Sequence, residues 1–215
     1  METVNTNYIK QLFPYVTPLQ LEEFSALPSI YEDWNSKINV ISRKDIDNIF
    51  THHILYSLAI AMVCRFKNGT KILDVGTGGG FPGIPLAILF PEVKFHLIDR
   101  TAKKIKVVNA IKDSIGLKNI VAEQLDCDDD KDKYDFVVSR GLCGIKDFYN
   151  LTRKHIICEK KHIIQNGLLY LKGEDVLEEL SDFKYFNKIY NINKFFYNDF
   201  FKTKKVVYIP IYKKH

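Results

Sequence analysis

Apolar residues recur along this chain at two different spacings, and the change from one to the other falls near residue 70. Up to residue 66 the spacing is helical. Leu19, Leu21, Phe24, Leu27, Ile30, Tyr31 and Trp34 follow steps that gather them on one side of a helix, and Ile54, Leu55, Leu58, Ala59, Met62 and Val63 repeat the habit. Between these runs, INVISRKDID (38–47) reads as a linker, with Asp45 placed to cap a short helix.

From residue 70 onward short β-rich runs alternate with amphipathic helical stretches. KILDV (71–75), VKFHLID (93–99), NIVAEQL (119–125), YDFVVS (134–139) and LLYLK (168–172) read as strands, and helices are expected around 83–90, 101–115 and 145–158. Such alternation predicts an α/β fold, a parallel sheet covered by helices on both faces. The tail predicts two further strands, 184–191 and 204–211, joined by an aromatic loop and added antiparallel at the sheet edge. The division is therefore an N-terminal helical extension, 1–66, followed by a Rossmann-like domain, 67–215.

The first strand-to-helix turn carries the chemistry. ILDVGTGGGFPGIP (72–85) sits where, in open α/β sheets, a ligand lies outside the carboxyl ends of the strands. Gly76, Gly78, Gly79 and Gly80 carry no Cβ to hold a ligand off the main chain, while Pro82 and Pro85 favour the first turn of the following helix. Asp99 ends the second strand about 20 residues further on, where a carboxylate accepts hydrogen bonds from ribose hydroxyls. Both features fit a nucleotide-like cofactor. The dinucleotide fingerprint is broken, however, by Phe81 where a small residue belongs and by the acid Asp74 two positions before the first glycine. An acid beside the loop repels a diphosphate and suits a cation, which favours the sulfonium and ammonium of S-adenosylmethionine over NAD.

Composition narrows the class. The chain has 215 residues, 46% of them hydrophobic, enough for one full core; it shows no run of about 18 uncharged apolar residues, and METVNTNYIKQLFPY (1–15) lacks the charged-then-apolar order expected of a secretory signal. A soluble, cytoplasmic protein without membrane attachment is expected. Cys64, Cys127, Cys143 and Cys158 are scattered, which suits reduced thiols rather than a metal or disulfide framework. A net charge of +5 permits an anionic partner without requiring one. Basic residues cluster at Lys103-Lys104-Lys106, Arg153-Lys154-His155, Lys160-Lys161-His162, Lys202-Lys204-Lys205 and Lys213-Lys214, whereas DCDDDKD (126–132) is acidic. Each cluster taken alone is more often a solvated face than a nucleic-acid site, and it is their number that suits an RNA-facing surface.

Taken together, WNSKINVISRKD (34–45), HHILYSLA (52–59), LDVGTGGGFPGIPLAI (73–88), LIDRTAKKIKVV (97–108), FVVSR (136–140) and LLYLKGED (168–175) resemble the GidB-type small-subunit ribosomal RNA methyltransferases. The resemblance implies a class I S-adenosylmethionine-dependent methyltransferase sheet behind helices, and transfer of a methyl group to N7 of a guanine in small-subunit ribosomal RNA or the small subunit. It implies cofactor contacts at Gly76, Phe81 and Asp99, and Asp74, Thr77 and Gly78 of the same turn are expected to join them. It places the adenine pocket near Cys127 and Asp128, where LDCDDD departs from the family's pattern. Arg140, in Ser139-Arg140 at the end of the fourth strand, is expected at substrate or cofactor, although Gly141-Leu142 replaces the family's usual Ala-Val. Asn39, His53 and Lys172 are the remaining catalytic-site candidates, and Tyr56 stands where the family commonly has Asp. A monomer is the default. Two rival functions stay open from the residues alone, an NAD-dependent oxidoreductase using the same glycine turn and Asp99, and a noncatalytic RNA-binding module.

Overall fold

The computed structural model describes residues 3–173, 176–181 and 183–213. Lys214 of the last basic pair and Glu174-Asp175 of the fifth-strand motif lie outside the described residues. Seven strands form one sheet in the order β3-β2-β1-β4-β5-β7-β6. They span β1 Lys71–Val75, β2 Lys94–Asp99, β3 Ile120–Gln124, β4 Phe136–Arg140, β5 Gly167–Lys172, β6 Lys188–Asn191 and β7 Lys205–Pro210. β1 to β5 pair in parallel, and β7 runs antiparallel to both β5 and β6. The C-terminal pair thus joins the β5 side as expected, with the last strand slotted between β5 and β6.

Strand residues alternate between two apolar layers because successive side chains point to opposite faces. Ile72, Phe136, Val138, Leu169, Leu171 and Val206 belong to one layer, and Leu73, Val137, Leu168, Tyr170, Val207 and Ile209 to the other. That double burial is why the strands read as nearly unbroken apolar runs. The first layer is covered by α1 (Thr6–Leu12), α2 (Pro18–Lys37), α3 (Tyr56–Val63), α4 (Gly83–Leu89) and α5 (Ala102–Ser114); the second by α6 (Ile145–Thr152) and α7 (Val176–Ser181). Ile9, Phe24, Leu27 and Ile54 of the N-terminal helical segment sit in the same apolar cluster as Ile72, Leu86 and Phe95.

Local sequence accounts for the helix that braces the glycine turn. Thr17 and Gln20 form a reciprocal capping box around Pro18, the first residue of α2. The Gln20 amide also donates to the carbonyls of Ile88 and Leu89, satisfying the end of α4.

Three expectations change. The helix predicted over 145–158 stops at Thr152, passes through a 3-10 turn and releases Ile156 to bridge Tyr134. The strand predicted over 184–191 is shortened to Lys188–Asn191. Asp45 stands before the 3-10 turn Ile46–Asn48 without capping it, because its carboxylate is taken by His52 and His53. Those histidines lie on a π-helical turn, Phe50–Leu55, that runs directly into α3. No helix among the described residues is long and apolar enough to cross a membrane.

Candidate active site

A cavity of about 580 Å³ opens at the carboxyl ends of β1 to β4. Its wall is formed by Val75-Gly76 after β1, Ile98 to Thr101 with Lys104 after β2, Leu125 to Cys127 after β3, and Arg140 to Cys143 after β4. This is the sheet's topological switch point, where the chain order reverses from β1 to β4 and the loops diverge to leave a crevice.

The glycine turn is held from beneath and from the side. Asp74 is fully buried, and its Oδ2 accepts hydrogen bonds from the Thr77 hydroxyl at 2.7 Å and the Gly83 N–H at 2.9 Å. Thr77 also donates its N–H to the Ile98 carbonyl, tying the turn to β2. At the cavity edge, the Gly78 N–H donates to Asp99 Oδ2 at 3.1 Å and the Thr101 N–H to Asp99 Oδ1 at 2.9 Å. Gly76 faces the cavity at φ 65°, a backbone conformation costly for a residue with a Cβ. Burial pushes the Asp74 carboxyl up to about 7, against the opposing hydrogen bonds from Thr77 and Gly83. Asp74 thus shapes the turn from below, and Val75 and Gly76 form the wall above it.

Phe81 lies behind the turn, not in the cavity. It stacks on Tyr31 with ring centres 4.8 Å apart, tilts against His53 at 5.0 Å and carries the Arg140 guanidinium at 5.1 Å. The Tyr31 hydroxyl in turn donates to the Gly79 carbonyl at 2.6 Å. Arg140 reaches from the end of β4 to the π turn, donating to the His52 carbonyl at 3.3 Å and to His53 Nδ1 at 3.1 Å. A guanidinium only donates, so His53 accepts at Nδ1 and carries its proton on Nε2, 2.6 Å from Asp45 Oδ2. His52 meets the other Asp45 oxygen at 2.5 Å. Burial and the Arg140 charge depress His53 to about 4, overcoming the opposing pull of Asp45. Burial alone would raise Asp45, but its bonds from His52 and His53 hold it below the usual carboxylate range. Both imidazole nitrogens of His53 are engaged, so it holds Arg140 and is not available as a free base.

The family model described as rRNA small subunit methyltransferase G, GidB, matches residues 20–207. The chain belongs to that family. A ribosomal RNA small subunit methyltransferase G from Flavobacterium psychrophilum is 55% identical over 93% of this chain and 95% of its own length. That of Bacteroides fragilis strain ATCC 25285 is 48% identical over 93% of this chain and 97% of its own. Among solved structures, precorrin-6y C5,15-methyltransferase from Geobacter metallireducens overlaps 80% of this chain and 90% of its own at TM-score 0.53 and 12% identity. An rRNA methylase from Streptococcus thermophilus overlaps 74% and 95% at TM-score 0.52 and 11% identity. At such identities the two structures speak for the class I methyltransferase fold alone.

The other residues singled out from this GidB-family sequence take varied positions. Cys127 is in the cavity wall but buried, its Sγ 3.6 Å from His155 Nε2, and burial pushes its thiol up to about 12. Asp128 is exposed and paired with Lys154, whereas Asp126 lines the cavity and pairs with Arg100 at 2.7 Å. Lys172 is not free: its Nζ lies 2.5 Å from Glu179 and donates to the Cys143 carbonyl at 3.2 Å. Asn39 is exposed on the turn after α2, and that turn is pinned instead by Asn35, whose Oδ1 accepts from Val40 and Ile41 N–H. Tyr56 donates to the Lys172 carbonyl at 2.9 Å, and Gly141 adopts φ 56°, a left-handed conformation that suits glycine.

Sequence reasoning missed Thr101, Lys104, Leu142 and Leu151 in the cavity wall, because nothing in their local pattern marks them. It also missed the ligand-like use of Asp45, whose neighbours HH at 52–53 are its one sequence clue.

Proposed function

We propose that this chain transfers a methyl group from S-adenosylmethionine to N7 of a guanine in small-subunit ribosomal RNA, in the cytoplasm. The observation that carries the reading is the cavity walled by the bare Gly76 backbone and the Asp99 carboxylate, in a chain that belongs to the GidB family. A donor-sized cavity, a close-approach glycine and a carboxylate at the end of β2 fit the cofactor. Asp99 would hold the ribose hydroxyls, Gly76 would let the main chain approach the donor, and Leu125 to Cys127 would border the adenine. When bound, S-adenosylmethionine supplies an electrophilic methyl group.

Guanine N7 has an outward lone pair and no proton to lose, so the chain needs no general base. A carbon–nitrogen bond forms as the carbon–sulfur bond breaks, and the positive charge passes to the guanine ring. The acceleration then comes from holding the reactants in line. Arg140, locked by His53 and Asp45 beside Phe81, contacts substrate or cofactor at the cavity wall. Thr77 and Asp74 brace the turn from beneath, and Gly78 braces Asp99. Lys172 acts through the Cys143 carbonyl on the loop that closes the cavity. Asn39, on the turn that seats Val40 against Gly79, is assigned to the outer rim of the site.

The test is direct. S-adenosylmethionine should raise the melting temperature of the purified protein and NAD should not. Labelled methyl should reach small-subunit RNA or particles, and 7-methylguanosine should be missing from the small-subunit RNA of cells lacking the protein. Absence of label on naked RNA, immature particles and mature subunits alike overturns the proposal.

A further inference from the structure

The loop between β6 and β7, residues 192–204, lies at the same end of the sheet as the cavity, because Lys205 at the start of β7 pairs with Lys172 at the end of β5. It is anchored there by apolar contacts. Ile192, Phe196 and Phe201 are buried, and Asn198 caps the 3-10 turn Asp199–Lys202. Phe200 stacks on His52 with ring centres 3.8 Å apart and meets Tyr56 edge-on at 5.7 Å. His52 is the residue whose carbonyl receives Arg140. The loop, the π turn and Arg140 are therefore one contiguous body, joined to the β7–β6 edge of the sheet, whereas the acidic 126–132 segment follows β3 at the other edge.

From that fixed base the loop presents Tyr197, 94% exposed, the most exposed large apolar side chain among the described residues. A single exposed aromatic is ordinary on a protein surface. This one directly follows the buried Phe196 and precedes the capping Asn198, in a segment whose sequence carries Lys194, Lys202 and Lys204 with Asp199 its lone acid. The Lys202–Asp199 pair is solvent-exposed and so contributes little, leaving the ammonium free to exchange partners. On the β3 side Asp126 lines the cavity paired with Arg100, Asp128 pairs with Lys154 and Asp130 is buried, and the exposed Asp129 and Asp132 add negative charge that disfavours a polyanion there. Base stacking on an exposed ring together with phosphate attraction is how single-stranded nucleic acid is held without sequence readout.

Resting on the RNA substrate proposed above, we infer that the 192–204 loop is an RNA-docking arm. Tyr197 stacks on an unpaired base flanking the target guanine, and Lys194 and Lys202 bind its phosphates, so that RNA enters from the β5–β7–β6 side.

Binding is measured by fluorescence anisotropy at several salt concentrations, with deproteinised small-subunit ribosomal RNA and with small subunits, and methyl transfer is followed in parallel. Tyr197→Ala should raise Kd for both by about tenfold, while Tyr197→Phe, which keeps the ring, stays near wild type. The double variant Lys194→Gln/Lys202→Gln should lower the slope of log Kd against log salt by about 1 to 2. In methyl transfer the loss should fall on KM for RNA, with S-adenosylmethionine affinity unchanged in every variant. Equal RNA affinity of Tyr197→Ala and Tyr197→Phe overturns the arm, as does failure of the wild-type protein to bind either RNA form. Weakening confined to assembled subunits also overturns it, because the loop would then dock on ribosomal protein. RNA binding that depends on Tyr197 without any methyl transfer supports the arm and sinks the proposed reaction instead.

Discussion

At Gly76 two constraints meet, a backbone φ of 65° and the tip of Leu142, whose Cδ1 lies 2.5 Å from where an added Cβ would stand. Leu142 is flexible and can yield; the backbone cannot. Gly76→Ala should therefore lose about 1 to 2 kcal/mol of stability from left-handed strain and bind S-adenosylmethionine at least tenfold more weakly by calorimetry, with its circular dichroism spectrum intact. The Asp45 carboxylate poses a different case, because it serves two imidazoles at once, the buried His53 and the half-buried His52. Asp45→Ala leaves the His52 and His53 N–H groups without their acceptor, at a cost of about 1 to 3 kcal/mol, and releases the restraint on Arg140. Its methyl-transfer rate should fall while donor affinity, read by calorimetry, stays within about twofold. A parallel collapse of donor affinity would show that the network shapes the cavity itself.

Among the elements, α4 shows how closely this sheet and its helices are fitted. A Cβ on Gly83 would fall 2.7 Å from both Asp74 Oδ2 and Leu97 Cγ, so Gly83→Ala pushes α4 away from β1 and β2. About 1 to 3 kcal/mol should be lost by this overpacking, read as a lower urea midpoint, and the Asp74 bond to the Gly83 N–H goes with it. By contrast Thr17→Ala removes one half of the α2 capping box and should cost about 1 kcal/mol without touching donor affinity. The strands and the helices between them were legible because their periodicity is local. α7 and the π turn were not. Val176–Ser181 is too short to show a period, and a π turn differs from an α-helix only in which carbonyl each N–H meets.

For the whole molecule, two buried groups make stability respond to pH in opposite senses. His53 is depressed from 6.5 to about 4, so between those values only the unfolded chain takes the proton. Its contribution is complete above pH 6.5 and lost as pH falls toward 4. Asp74 is raised from 3.8 to about 7, so the folded chain takes the proton first. That contribution is complete below pH 3.8 and lost as pH rises through 7. At about 1.4 kcal/mol per pH unit, His53 is worth at most roughly 3 and Asp74 at most roughly 4 kcal/mol, and over the shared window they largely offset one another. Relative to wild type, Asp74→Asn should gain melting temperature as pH rises from 4.5 to 6.5, and His53→Gln should lose it. Differential scanning fluorimetry across that range checks both, and parallel curves for all three proteins would show that neither group is perturbed by folding.

The amino-acid order alone determined the sheet, the glycine turn and Asp99, since each depends on residues close in sequence: a period of side chains, a run of glycines, an acid at a strand end. It also carried the family resemblance that the match over residues 20–207 bears out. Tertiary structure decided which polar groups meet. Arg140 finds His53 across 87 positions, Lys172 is bound by Glu179, and Cys127 turns its thiol to His155. No local pattern encodes such pairs, because their energies arise only after packing has removed water and brought distant segments together.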